Sequence, residues 1–80
     1  MLTRADVIAE IEEHLAGSLS AAALAAWAFD RFYAHDMGEE EFSEKDAEVI
    51  AAVLDELMFA DNAAFALDEP ALRTLITRLQ

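Results

Sequence analysis

The sequence predicts an all-α fold, a compact antiparallel four-helix bundle that residues 1–80 form as a single domain. Four segments start with the same pattern, in which an apolar residue and a helix-capping residue are followed by a second apolar residue or alanine, five positions after the first. The chain shows no apolar–polar alternation long enough to predict a β-strand. Eighty residues suffice for one small core and leave no room for a second domain.

The capping residue of each start indicates where a helix begins, because its side-chain oxygen accepts a hydrogen bond from a backbone N–H of the first turn. The caps and the helices predicted after them are Thr3 before residues 4–16, Ser20 before 21–36, Ser43 before 44–60 and Asp68 before 69–79. Asp6 and Asp46 follow Thr3 and Ser43 by three residues and place an acid near the positive end of each helix dipole, where it is favourable. Asn62 is predicted to take the left-handed conformation after the third helix.

The second predicted helix lies within LSAAALAAWAFDRFY and is apolar on more than one side. Leu24 and Trp27 face one way on a helical projection, whereas Phe29 and Tyr33 face nearly the opposite way. A helix of this kind should be covered on most sides, so we predict that it is the central helix and that Trp27 is buried.

The other three helices each show a single apolar face that should pack inward. These faces are Val7, Ile8, Ile11 and Leu15 in the first helix, Ala47, Ile50, Leu54, Leu57 and Met58 in the third, and Leu72, Leu75, Ile76 and Leu79 in the fourth. Phe65 and Leu67, in the apolar connection before the fourth helix, are predicted to reach the core.

The net charge of −12, from 17 acidic and 5 basic residues, is the strongest compositional signal. A surface of this charge repels phosphates and anionic lipids, so we expect no nucleic-acid and no membrane binding, and a basic protein is its natural complement. The alternative is that the acids only maintain solubility or reflect adaptation to salt. The chain has no cysteine, and its start is amphipathic and acidic, unlike a signal peptide, so we expect a soluble cytoplasmic protein.

The acidic residues are concentrated in one part of the chain, with seven between Asp36 and Glu48 against one Lys45. Helical periodicity places further acids and an aromatic residue on the side of the third helix opposite Ile50. The predicted partner-binding residues are Glu39, Glu40, Glu41, Glu44, Glu48, Asp55 and Phe59. The alternative is an ordinary solvated face with Phe59 folded into the neighbouring corner.

No combination of residues indicates catalysis, a metal site or a cofactor site. His14 and His35 have no second and third ligand at helical spacing, and adjacent acids such as Asp55 and Glu56 point apart on a helix. We therefore expect a non-enzymatic protein without a cofactor.

Gly17-Ser18-Leu19 before the second helix, in a small acidic helical protein, also resembles the acyl carrier proteins. That family attaches phosphopantetheine to the serine of an Asp-Ser-Leu motif. Here glycine precedes Ser18 and the first interhelical loop is short. Modification of Ser18 by a phosphopantetheinyl transferase would identify a carrier.

Two stretches, SLSAAALAAWAFDRFYAHD and VLDELMFADNAAFALDEPALRTLITRL, resemble the bacterial self-protective colicin-like immunity proteins of the colicin D type. The resemblance implies a helical protein that binds the cationic nuclease domain of a toxin and blocks its active site with acidic side chains. It assigns no individual contact residue among residues 39–48. A homodimer with exposed aromatic residues is a further alternative, and the sequence leaves the oligomeric state open.

Overall fold

A computed structural model describes residues 1–62 and 67–80, and these residues form an all-α structure as predicted. The helices are α1 (Arg4–Leu15), α2 (Ala21–Asp36), α3 (Ala47–Leu57) and α4 (Glu69–Leu79), and a 3₁₀ turn at Glu44–Asp46 precedes α3. Over the described ranges, the only strand-like pairing is a single parallel bridge between Leu2 and Phe42.

Three of the four predicted caps form. The Thr3 side chain accepts from the Asp6 N–H and completes a capping box, Ser20 accepts from the Ala23 N–H at 3.1 Å, and Asp68 accepts from the Ala71 N–H at 3.0 Å. These hydrogen bonds satisfy N–H groups that have no partner inside the helix. The helix starts at Arg4, Ala21 and Glu69 were therefore correctly predicted.

The predicted start of the third helix is wrong. The side chain of Ser43 makes no capping hydrogen bond, and residues 44–46 form a 3₁₀ turn in place of α-helix. The Asp46 carboxylate, expected near the start of this helix, lies 3.1 Å from the Arg4 Nε atom at the start of α1. It therefore pairs with a residue that is distant in the sequence.

The predicted end of the third helix is also wrong, because α3 stops at Leu57, three residues before Ala60. Tight turns follow, in which the Ala60 N–H donates to the Leu57 carbonyl and the Asn62 N–H donates to the Phe59 carbonyl, each at 3.0 Å. Asn62 has no positive φ, so the predicted left-handed conformation is absent there. Among the described residues, positive φ occurs only at Gly17 and Gly38, after α1 and α2.

The helices form a closed ring in which α2 packs on α3, α3 on α4, α4 on α1 and α1 on α2. The result is the predicted compact antiparallel four-helix bundle. Its core consists largely of the inward faces of α3 and α4, namely Ile50, Val53, Leu54, Leu57, Leu72, Leu75, Ile76 and Leu79. Val7 and Ile11 of α1 are fully buried in this core. The residues that are partly buried at the margin of the core include Ile8, Leu15, Ala47 and Met58. Leu67 also packs at the margin, and Phe65 lies outside the described residues.

The prediction that α2 is the central, covered helix is wrong. Its buried residues are Leu24, Ala25 and Ala28, whereas Trp27 is only partly buried against the core. Phe29 and Tyr33 are 51% and 44% exposed. In a ring of four helices, each helix meets two neighbours and keeps one outward side, so an apolar residue on that side stays in contact with solvent.

Candidate acidic interface

The loop between α2 and α3, which carries the run of glutamates, is held by the first residues of the chain. The Leu2 N–H donates to the Glu41 carbonyl at 2.7 Å, and the Ser43 N–H donates to the Leu2 carbonyl at 2.9 Å. Phe42, between these two residues, is 5% exposed, and its ring stacks on His35 with centroids 3.8 Å apart. The backbone on either side of Phe42 is therefore fixed, and the neighbouring carboxylates start from a defined position.

The three consecutive glutamates of this loop do not have the same environment. Glu39 and Glu41 are exposed, whereas the Glu40 carboxylate is partly buried and lies 3.4 Å from the Arg31 guanidinium of α2. The His35 ring nitrogen Nδ1 also lies 3.2 Å from the Glu40 carbonyl. Glu40 joins the loop to α2, which makes it less accessible to a partner than Glu39 and Glu41.

The outer face of α3 and its preceding turn is exposed over its whole length. Glu44 lies in the 3₁₀ turn, Glu48 and Ala52 follow on α3, and Asp55 lies near its end. Phe59, in the turn after α3, is 45% exposed. We define the acidic interface as Glu39, Glu41, Glu44, Glu48, Asp55 and Phe59. It retains six of the seven residues predicted from the sequence and sets Glu40 apart as a link to α2.

The basic residues of the chain are mostly occupied elsewhere. The ion pairs are Arg4–Asp46, Arg31–Glu40, Arg73–Glu69 and Arg78–Glu56. Over residues 1–62 and 67–80, none of the five carboxylates of the acidic interface takes part in an ion pair. Their charges are therefore not neutralised by ion pairs in this part of the chain, in which Lys45, beside Glu44, is the exposed cation.

A shallow cavity of about 480 Å³ opens beside the loop, and Glu41, Glu44 and His35 are among the residues that line it. Within the described part of the chain, no three residues of the types that ligate metals come together. The Nδ1 atom of His14 lies 2.7 Å from the carbonyl of Leu19, two residues before α2. Across the same residues, no helix is long and apolar enough to cross a bilayer.

The Glu10 carboxyl on α1 has a pKa that folding changes. Burial raises the pKa of its carboxyl above the ordinary value of 4.5, and the charge of Glu13 raises it further. The folded state then binds more protons than the unfolded state between the two pKa values, so the free energy of unfolding falls as pH rises through that interval. We expect Glu10→Gln to be more stable than the parent protein at neutral pH and to lose this advantage below pH 4.5.

Urea denaturation at several pH values measures this effect. Glu12→Gln is the matched control, because Glu12 is exposed on the same helix. A Glu10→Gln variant that is less stable than the parent at neutral pH would contradict the prediction.

Phe29 and Tyr33 form an exposed aromatic pair on α2, with ring centroids 4.5 Å apart and planes tilted by 41°. Helical spacing predicts that the two residues share one side of the helix. The same spacing fits a covered helix and an exposed one, so only the packing of α2 shows that this side faces solvent.

Comparisons of the chain with family models, with curated proteins and with solved structures return no match.

Proposed function

We propose that this chain is a non-enzymatic protein that binds a basic protein partner through the acidic interface, and that it acts as an immunity protein against a cationic nuclease toxin. The observation that carries the proposal is the set of five exposed carboxylates without intramolecular ion pairs on a positioned loop and helix. The resemblance of two stretches to colicin D type immunity proteins supports the choice of partner.

The physical role of the carboxylates is to steer and orient the partner. A basic surface that approaches the bundle gains Coulomb energy before contact, which raises the association rate at low ionic strength. Against a nuclease, carboxylates would occupy the cationic site that otherwise binds the phosphates of the nucleic acid. Phe59 contributes apolar area next to Asp55, and aromatic residues often dominate the binding energy of such interfaces.

Neutralising Glu44 or Glu48 should change the stability of the free protein only slightly. Glu44 belongs to the 3₁₀ turn before α3, and Glu48 lies in the first turn of α3, where the helix dipole favours an acid by about 0.3 to 1 kcal/mol. Repulsion between like charges four residues apart on a helix acts in the opposite direction, by about 0.2 to 0.5 kcal/mol. A tenfold loss of association rate would exceed these effects, which separates a loss of binding from a loss of folding.

The test uses the basic C-terminal domain of a nuclease toxin encoded by the neighbouring reading frame, in catalytically inactivated form. We expect Glu44→Gln with Glu48→Gln to slow association about tenfold at low salt, because two steering charges are removed. Stopped-flow fluorescence at increasing salt measures the rate, and the rate for the parent protein should fall steeply toward that of the variant.

The matched control is Glu12→Gln with Glu13→Gln, which removes the same charge from exposed positions of α1. Equal slowing by both double variants would show that only net charge matters and that the acidic interface is not the binding site. The immunity role would be rejected if the neighbouring reading frame encodes no basic toxin domain, or if this protein does not bind that domain. Phe59→Ala, measured per folded molecule, should weaken binding by about thirtyfold, equivalent to about 2 kcal/mol.

A further inference from the structure

A groove of about 310 Å³ runs between the N-terminal half of α2 and the C-terminal end of α3, beside the acidic interface. The small side chains of Ala22 and Ala26 keep it open on the α2 side, while Met58 lines the α3 side. Phe29 also lines the groove and contacts the exposed Tyr33, so that an apolar floor adjoins an exposed aromatic surface. The shape and chemistry suit a narrow aliphatic chain.

Two carboxylates border the same groove, Asp30 from α2 and Asp61 from the turn after α3. Both residues are exposed, and across the described ranges neither side chain takes part in an ion pair or a hydrogen bond. Arg31, next to Asp30 in sequence, is paired with Glu40. The groove thus combines an apolar floor, an aromatic ring and two carboxylates. Among the described residues, no basic side chain forms an ion pair with either carboxylate.

Charge decides which occupant fits. A second copy of this chain would bring Asp30 and Asp61 toward the same residues of another molecule, each carrying a net charge of −12. Like charges in an interface oppose association. A cationic side chain with an aliphatic stem satisfies every part of the groove, since the stem covers the floor and the head reaches the carboxylates. Arginine suits it better than lysine, because a guanidinium can stack on an aromatic ring and pair with a carboxylate at once.

We propose that the α2–α3 groove is an arginine-binding subsite that anchors one side chain of the basic partner between Phe29, Asp30 and Asp61. The assignment rests on the proposed function for the identity of the partner, but the subsite itself can be tested without that partner. It extends the binding surface from α3 onto α2, to residues that the sequence analysis did not include.

The test is a titration of ¹⁵N-labelled protein with N-acetyl-arginine amide, followed by amide chemical shifts. We expect the shifts to concentrate at Ala26, Phe29, Asp30 and Asp61, with much smaller changes at Glu39 and Glu41. Guanidinium chloride supplies the charge without the stem, and N-acetyl-norleucine amide supplies the stem without the charge. Each should bind at least threefold more weakly than the arginine derivative at this site.

Variants then test the named residues. Asp30→Asn and Asp61→Asn should each weaken binding of the arginine derivative about threefold, in the range measured for exposed charge pairs. Glu48→Gln is the matched control, because it removes an exposed charge of the acidic interface outside the groove. Shifts spread evenly over all exposed acids, or equal weakening by Glu48→Gln, would overturn the subsite.

The two proposals can fail separately. If the chemical-shift changes are localised at the groove but the protein does not bind the toxin domain, the arginine subsite is supported and the immunity role is rejected. If toxin binding depends on the acidic interface but not on Asp30 or Asp61, the proposed function is supported and the subsite is rejected. Light scattering tests for a dimer at the working concentration. If the protein is a dimer that Phe29→Ala converts to a monomer, the groove binds a second copy of the chain and the proposal is overturned.

Discussion

Leu54→Ala is expected to lower the free energy of unfolding by about 2 to 5 kcal/mol, the range found for large-to-small changes in a core. Leu54 is 0% exposed and lies on α3, the helix that packs on both α2 and α4. Removing three carbon atoms there loses contacts to the helices on both sides, and the surrounding side chains can only partly collapse into the space. For 80 residues, a total stability of roughly 4 to 12 kcal/mol is typical, so the loss is a large share of it.

Urea denaturation followed by circular dichroism measures this loss. Leu54→Met is the matched control, since it keeps the volume and should cost less than about 1.5 kcal/mol. Ala52 is exposed on the same helix, and Ala52→Ser should change stability by no more than about 0.5 kcal/mol. If Leu54→Ala were as mild as the Ala52 variant, the assignment of α3 to the centre of the core would be wrong.

Phe42→Ala is expected to cost about 3 to 5 kcal/mol and, in addition, to release the loop that presents Glu39 and Glu41. Phe42 is 5% exposed and stacks on His35, and its neighbours Glu41 and Ser43 hold the backbone of Leu2. Without the ring, the hydrogen bonds on either side of residue 42 lose the contact that keeps them in place. The N-terminal residues and the loop should then open together.

Amide hydrogen exchange tests this coupling directly, because the Leu2 and Ser43 N–H groups report on the two hydrogen bonds. Both should exchange faster in Phe42→Ala than the N–H groups of α4, even after correction for the loss of global stability. Phe42→Leu should restore most of the protection by filling the same space. If the Leu2 and Ser43 amides of Phe42→Ala stay as well protected from exchange as those of α4, the loop is held in place without the Phe42 ring.

Much of the acidic interface could be predicted from periodicity alone. Glu48 and Asp55 lie on the side of α3 opposite Ile50 and Leu54, and helical spacing indicates both the exposure of the first pair and the burial of the second. Glu44 is exposed too, but it lies in the 3₁₀ turn before α3, where this spacing does not apply. The role of Glu40 could not be predicted in this way. Its ion pair with Arg31 joins residues nine positions apart across a loop, and loop geometry does not follow from a helical repeat.

The sequence by itself determined three helix starts and the apolar face of α4, because caps and a 3.6-residue repeat act over a few neighbouring residues. Tertiary structure decided the start of α3 at Ala47, the ion pair between Arg4 and Asp46, and the bridge that joins Leu2 to Phe42. It also decided which side of α2 stays exposed. Phe29 and Tyr33 are as apolar as core residues, and only the places that α1 and α3 occupy around α2 determine that this pair faces solvent.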